Sequence, residues 1–367
     1  MTDANRQPPA GGDPPPRAAA GDEAGQNEDC ALVVAIGNYK ELTPLRGPGP
    51  DAIRFCTWLR EKGGLKIENI KLVDGTEPGR PVNSDIRDAL IKLGVRMNTR
   101  RGRRLYFYYA GHGLGPKFNE VAIVPADAAQ GMLEDACFGL NHCIDFFVKT
   151  GFFDELVVFM DCCREREEVP TIGLPFKFER PFKNARPHVN HFVLMAVGDG
   201  AKSFEVRDLS LDQERRFRGI MTAALIEGLN GAPGAIDANN NVTSASLSRY
   251  VATRVEEEAK AQKPPLDQVI DTPKPPQQEI IFLTIPPDQI PTVELRLIVG
   301  PQTAGQQILI QNLSTLAMDT RAGQPEGSVI AVPIKGNARY QLILPNRHPV
   351  VIDPAVLTSE PNDVPLP

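Results

Sequence analysis

Two short segments hold the residues whose types and spacing can do chemistry: Tyr109-Ala-Gly-His112-Gly113 and Asp161-Cys162-Cys163-Arg164. A neutral thiol is a poor nucleophile and a thiolate a good one, so a cysteine that attacks a carbonyl needs an imidazole to lower its pKa or take its proton. Histidine suits the task because its ordinary pKa, about 6.5, lets it return that proton to a leaving amine near neutral pH. Gly113 fits a third role. Without a side chain, its backbone N–H can approach a developing oxyanion, and the N–H of Cys163 is the candidate second donor. His112 and Cys163 are therefore the candidate catalytic pair, with Gly113 and Cys163 as backbone oxyanion donors.

Each segment closes an apolar run, LYFYYA from Leu105 and ELVVFM from Glu155, of the kind found in strands buried on both faces. In open parallel sheets, sites form at the carboxyl ends of strands, so neighbouring strands of this type bring their ends together. Strand period also separates the two thiols. Residues two apart share a face, which points Asp161 and Cys163 the same way and turns Cys162 into the packing of the opposite helix layer.

The rest of the chain repeats the pattern. ALVVAI from Ala31, IKLVDG from Ile70, VAIVP from Val121 and HFVLMAV from His191 read as strands. Between them lie helical stripes: Ala52, Ile53, Phe55, Cys56 and Leu59 ending at Gly63 and Gly64, with Asp51 a natural N-cap, then Ile86, Leu90 and Leu93 in a helix from Asn83 or Ser84. Further helices are expected over Asn141 to Lys149, from Gly219 (GIMTAALIEGL) and from Ser244. This alternation predicts an α/β fold with a largely parallel sheet flanked by helices. EIIFLTI, set among prolines, is expected to close that domain. After Thr292 only the strand-like runs VELRLIV, QQILIQN, SVIAVPI and YQLILP remain, which predicts a small C-terminal all-β, sandwich-like domain. The expected organisation is a disordered tail over 1–28, poor in large apolar side chains, a main domain over 29–285, and a β domain over 286–367 with a proline-rich linker and tail.

The 367 residues allow one main domain and a smaller one. No run approaches the roughly 18 apolar residues of a membrane span, and a net charge of −6 argues against nucleic acid as the main partner. Arg96, Arg100, Arg101, Arg103 and Arg104 form a local basic turn, read as a solvated loop before a strand, with an acidic partner as the sharper alternative. Six cysteines without a regular framework, and an N-terminus unlike a signal peptide, point to the reducing cytoplasm and free thiols. Cys137, His142 and Cys143 have a spacing unlike paired zinc motifs, so neither metal nor cofactor is expected.

In order along the chain, ALVVAIGNY, the Asp51-Ala52 pair, YYAGHG, VVFMDCCR, LMAVGDGAKSFE and GIMTAALIEGL resemble the caspase-like peptidase family, and its metacaspase, paracaspase and bacterial members more than animal caspases. The resemblance covers Ala31 to about Ile285, and the His–Cys separation of about 50 residues agrees with it. It implies a cysteine endopeptidase acting on protein or peptide substrates through an acyl-enzyme, with His112 as general acid–base and Cys163 as nucleophile. It also implies specificity. Relatives that cut after Arg or Lys carry acidic groups at positions matching Asp51, Asp161 and Glu205, the expected S1 pocket, with Asp199 as substitute if Glu205 points away; bidentate contact with carboxylates favours Arg.

Where the metacaspase pattern continues His-Ser-Gly, this chain has Arg164-Glu165-Arg166, a departure from the members activated by calcium. The long segment from Arg164 to Asn190 matches the part that caspases cleave on maturation. Arg164, Arg166, Arg180 and Arg186 are its candidate cut sites, for the enzyme itself or for an upstream activating protease; a regulatory protein is the other expected partner. Bacterial members are associated with stress, cell death and defence. The reading from another class is a catalytically silent scaffold that binds partners through the β domain or the basic turn.

Overall fold

The computed structural model describes residues 28–75, 79–95, 100–116, 120–129, 137–166, 188–208, 216–358 and 361–367. Most of the expected tail, and Arg96, Arg180 and Arg186, lie outside the described residues. The central sheet has six strands: β1 Cys30–Ala35, β2 Ile70–Asp74, β3 Gly102–Ala110, β4 Phe153–Asp161, β5 Asn190–Met195 and β6 Asp271–Lys274. Their order is β6-β5-β4-β3-β1-β2, with all neighbours parallel except β6, which runs antiparallel to β5.

Strand period sorts the core into two layers. Ala31, Val33, Tyr106, Tyr108, Val157 and Phe159 face one cluster, while Leu32, Val34, Phe107, Tyr109, Val158 and Met160 face the other. The first cluster is covered by α1 Pro48–Glu61, α4 Ile220–Leu229 and α5 Ser244–Ala261; the second by α2 Asn83–Lys92 and α3 Leu140–Thr150. Burial on both sides is why these strands read as unbroken apolar runs.

Several expectations change in detail. The buried stripe of α1 is Asp51, Ala52, Phe55, Trp58 and Leu59, and Ile53 is exposed. Asp51 does not cap α1, because Pro48 opens the helix one turn earlier and puts Asp51 inside its first turn. The cap of α5 is Thr243, which exchanges hydrogen bonds with Ser246. EIIFLTI supplies the expected strand, Ile281–Thr284, which packs in the first core cluster but pairs with Asn241–Thr243 outside the central sheet, whose own last strand is the proline-bearing DTPK of β6. An edge position tolerates Pro273, since only one side of the strand needs its donors.

Among its described residues, the basic turn is neither solvated loop nor free patch. Arg100 pairs with Asp154, Arg101 binds the Leu93 carbonyl and Asn69, and Arg103 pairs with Asp29 at 2.6 Å. Arg104 is fully buried against Glu155 at 2.7 Å and the Tyr106 hydroxyl at 2.8 Å.

The C-terminal region forms two sheets around a third cluster. One has the order β10-β7-β13 and the other β9-β8-β11-β12, from β7 Thr292–Ile298, β8 Ile308–Asn312, β9 Met318–Arg321, β10 Val329–Lys335, β11 Tyr340–Ile343, β12 Val350–Ile352 and β13 Asn362–Pro365. Among the described residues no helix is long and apolar enough to cross a membrane.

Candidate active site

In the β3–β4 register Ala110 stands opposite Asp161, so His112 and Cys163 each lie two residues beyond a matched pair of strand ends. The His112 backbone is clamped on both sides. Its N–H donates to the Tyr39 hydroxyl at 2.6 Å, and its carbonyl accepts from the Tyr109 hydroxyl at 2.5 Å and the Val124 N–H at 3.3 Å. Burial raises the pKa of both tyrosines, which keeps these hydroxyls neutral. The ring rests against Tyr39 with centroids 4.6 Å apart, and Nε2 lies 2.8 Å from the Thr43 carbonyl. A carbonyl only accepts, so Nε2 is the donor here, and in the neutral ring the lone pair is then on Nδ1.

Cys163 is half-buried. Its Sγ accepts from the Ser203 N–H at 3.3 Å and donates to the Ser203 carbonyl at 3.5 Å. Burial pushes the thiol pKa up and the Ser203 amide opposes this, so the resting group is a thiol. Thiol and imidazole line one cavity but are hydrogen-bonded elsewhere, to Ser203 and to Thr43. Cys162 is packed into the cluster on the α2–α3 side. Cys137 and Cys143 are buried in that same cluster.

Gly113 opens a short strand, 113–115, that pairs with 122–123 and 165–166. The Val124 N–H binds the His112 carbonyl beside the Gly113–Ile123 pair, which makes that pair non-hydrogen-bonded and leaves the Gly113 N–H unused by this neighbour. A side chain cannot be placed here: a Cβ would lie 2.6 Å from both Cys162 Sγ and the Cys163 carbonyl.

Asp51, Asp161 and Glu205 line the same cavity. Val157 and Phe159 of β4 face the α1–α4 side, and the same period turns Asp161 toward Ser203, whose Oγ donates at 2.9 Å, and Thr222, whose N–H and Oγ1 donate at 3.0 and 2.6 Å. Because Thr222 donates to Asp161, the Tyr108 hydroxyl 2.8 Å away donates to Thr222. Asp51 accepts from the Gly219 N–H at 2.7 Å and pairs with Arg54 at 2.7 Å. Glu205 accepts from the N–H groups of Gly47 at 2.8 Å and Arg46 at 3.1 Å. Burial raises the pKa of Asp161, and raises that of Asp51 well above the usual carboxylate range, with Asp161 itself as the next cause.

Asp199 is not a substitute for Glu205. It lies 3.2 Å from Arg166 and 3.8 Å from Arg164, outside the cavity lining. Arg164 is unsuited as a cut site, since it is fully buried and pairs with Asp271 at 2.8 Å. Thr43, Ser203 and Thr222 are the contributors that sequence reasoning missed. Thr43 acts through a carbonyl, which every residue has, and so leaves no signal of side-chain type.

Fold and cavity define the class: an α/β protein with a thiol–imidazole site at the carboxyl end of a mostly parallel sheet. A profile of the caspase domain matches residues 28–273, and the chain belongs to that family. A probable protease from a Desulfuromonadales bacterium is 27% identical over 232 residues, which cover 57% of this chain and 26% of that protein. The chain thus spans about a quarter of the length of this curated relative. The crystal structure of caspase-1 from Spodoptera frugiperda aligns with a TM-score of 0.46 at 13% identity, covering 74% of this chain and 98% of that one. The structure of pro-sf-caspase-1 aligns with a TM-score of 0.41 at 11% identity, covering 68% and 91%.

Proposed function

We propose that the chain is a cysteine endopeptidase that cleaves proteins after basic residues, Arg in preference to Lys, through an acyl-enzyme on Cys163. One observation supports this reading above others: a thiol, an imidazole and three carboxylates from separate chain segments line a single cavity. Nδ1 of His112 takes the thiol proton as substrate enters, and the thiolate attacks the carbonyl carbon. The resulting oxyanion is met by the N–H groups of Gly113 and Cys163. The imidazolium then returns the proton to the leaving amine, and the same imidazole deprotonates the water that hydrolyses the thioester. Arg is favoured because a planar fork can meet carboxylates from more than one direction, whereas an ammonium is a point charge.

The same reading takes the enzyme as cytoplasmic and as a zymogen, matured by cleavage in the segment after Cys163. Comparing activity before and after limited proteolysis checks that part. The main test uses fluorogenic peptides ending in Arg, Lys or Asp. Arg is expected to be cleaved fastest and Asp not at all, with Cys163→Ala and His112→Ala each losing at least about 10⁴-fold in kcat. Cleavage of Asp peptides in place of Arg peptides overturns the pocket assignment, and full activity of Cys163→Ala overturns the mechanism.

A further inference from the structure

We propose that the rim of the acidic cavity carries an anion-binding subsite, formed by Arg46 and Arg207 around Phe217, that accepts an acidic side chain of the substrate near its basic residue. The inference rests on the peptidase reading above and deepens its specificity. Strands 205–207 and 217–219 form an antiparallel hairpin in which Glu205 opposes Gly219, Val206 opposes Arg218, and Arg207 opposes Phe217. Directly opposed residues share a face. Val206 belongs to the core, and Arg218 is held by Asp208 at 3.2 Å and Glu258 at 2.7 Å, so that pair faces inward. Glu205, Gly219, Arg207 and Phe217 occupy the other face.

Glu205 and Gly219 line the cavity, and the Arg207–Phe217 pair is the next step outward, roughly 7 Å along the strand. Arg46 closes on the same ring from the loop before α1. Its guanidinium sits 5.0 Å from the Phe217 centroid, while its backbone N–H holds Glu205 at 3.1 Å. Of the nearby arginines, Arg164 pairs with Asp271, Arg166 with Asp199 and Arg218 with Asp208 and Glu258. Among the described residues, Arg46 and Arg207 are in no ion pair, and both are exposed.

One exposed cation, Arg46, lies against the Phe217 ring and a second, Arg207, stands opposite Phe217 in the strand pair, beside a cavity of three carboxylates. Such a surface is bipolar. It suits a substrate segment with Arg in the cavity and Glu or Asp about two residues away, because two extended residues also span roughly 7 Å. A single carboxylate between two guanidiniums gains charge-assisted hydrogen bonds and relieves their repulsion. A second basic residue there is disfavoured.

The experiment compares peptides with Arg at the cleaved position and Glu, Gln or Lys placed singally at each position two to four residues to either side. The ratio of kcat/KM for Glu over Gln is measured in the wild type, in Arg46→Gln, in Arg207→Gln and in the double variant, at low and high salt. At one position the wild-type ratio is expected to reach about 3- to 10-fold, the size of one or two exposed ion pairs, and to approach 1 in the double variant and in high salt. Brisk cleavage with a ratio near 1 at every position overturns the subsite alone, as does a preference that persists in the double variant. Failure to cleave any Arg peptide removes the peptidase reading and the subsite with it.

Discussion

Asp51 has the least accommodating surroundings of the three cavity carboxylates. Asp161 accepts three hydrogen bonds, from Ser203 and twice from Thr222, whereas buried Asp51 has the Gly219 amide and the ion pair with Arg54. Its raised pKa comes first from burial and next from the charge of Asp161, with Gly219 and Arg54 opposing. The native state therefore keeps a proton that the unfolded chain has already released, so stability falls as pH climbs from the ordinary carboxylate value, about 4, toward the raised one. An arriving guanidinium reverses this by favouring the anion. Asp51→Asn is expected to melt higher than the wild type at about pH 8, with no gain near or below about pH 4; in a domain of this size about 1 kcal/mol moves Tm by roughly 2–4 °C. The same variant should lose at least about 30-fold in kcat/KM for Arg peptides, because removing one member of a buried charge pair costs about 2–5 kcal/mol. Melting curves at the two pH values and peptide kinetics check both halves. A variant that melts lower at about pH 8 shows the carboxylate to be stabilised as the anion.

At the scale of elements, the turn after β4 depends on a buried cation. The backbone of Arg164 binds Ala201 and Gly200 at 2.9 Å each, and its side chain ties that turn to Asp271 on β6. Arg164→Met leaves Asp271, which is 33% exposed, and Asp199 without this partner. The expected loss of stability is about 3 kcal/mol, the low end for breaking a buried pair, with a fall in kcat as Ser203 and Cys163 lose their mutual placement. Urea unfolding midpoints and kcat are the readouts, and a variant matching the wild type in both dismisses the network. The strands and their reactive ends were legible because strands buried on two faces give long apolar runs, and because His112-Gly113 and Cys163 follow them directly. What was not legible came from pairing across long stretches of chain. Ser203 meets Cys163 across 40 residues, Thr222 meets Asp161 across 61, and Arg103 meets Asp29 across 74, so local composition made a solvated turn of a set of ion pairs. DTPK carries no strand signal in the sequence because proline argues against a strand, a rule that weakens at a sheet edge.

For the whole molecule, the question is what the β domain does for a cavity it does not line. Between it and the caspase domain, the Gly234 N–H donates to the Gly336 carbonyl at 2.9 Å, the Asn337 side-chain amide donates to Asn240 Oδ1 at 2.9 Å and to the Asp237 carbonyl at 3.4 Å, and Pro354–Val356 packs on α5. Gly234 and Asn240 follow the carboxyl end of α4, while the cavity lies at the amino end of that helix, about 15 Å away by helical rise. The β domain therefore lies beyond direct reach of the reacting atoms through this contact, and its two sheets enclose their own core. A chain ending at Pro291 keeps Ile285 and Ile290, which complete the first core cluster. That chain is expected to cleave short Arg peptides within about 3-fold of the full-length kcat/KM, a difference of under 1 kcal/mol. If the β domain recruits substrates, the loss should be confined to folded protein substrates, since a short peptide cannot span both sites. Parallel assays on peptide and protein substrates, with circular dichroism to confirm folding, separate the roles. A folded truncated chain that no longer cleaves Arg peptides would show that the β domain shapes the cavity from a distance, against the independence that its separate core implies.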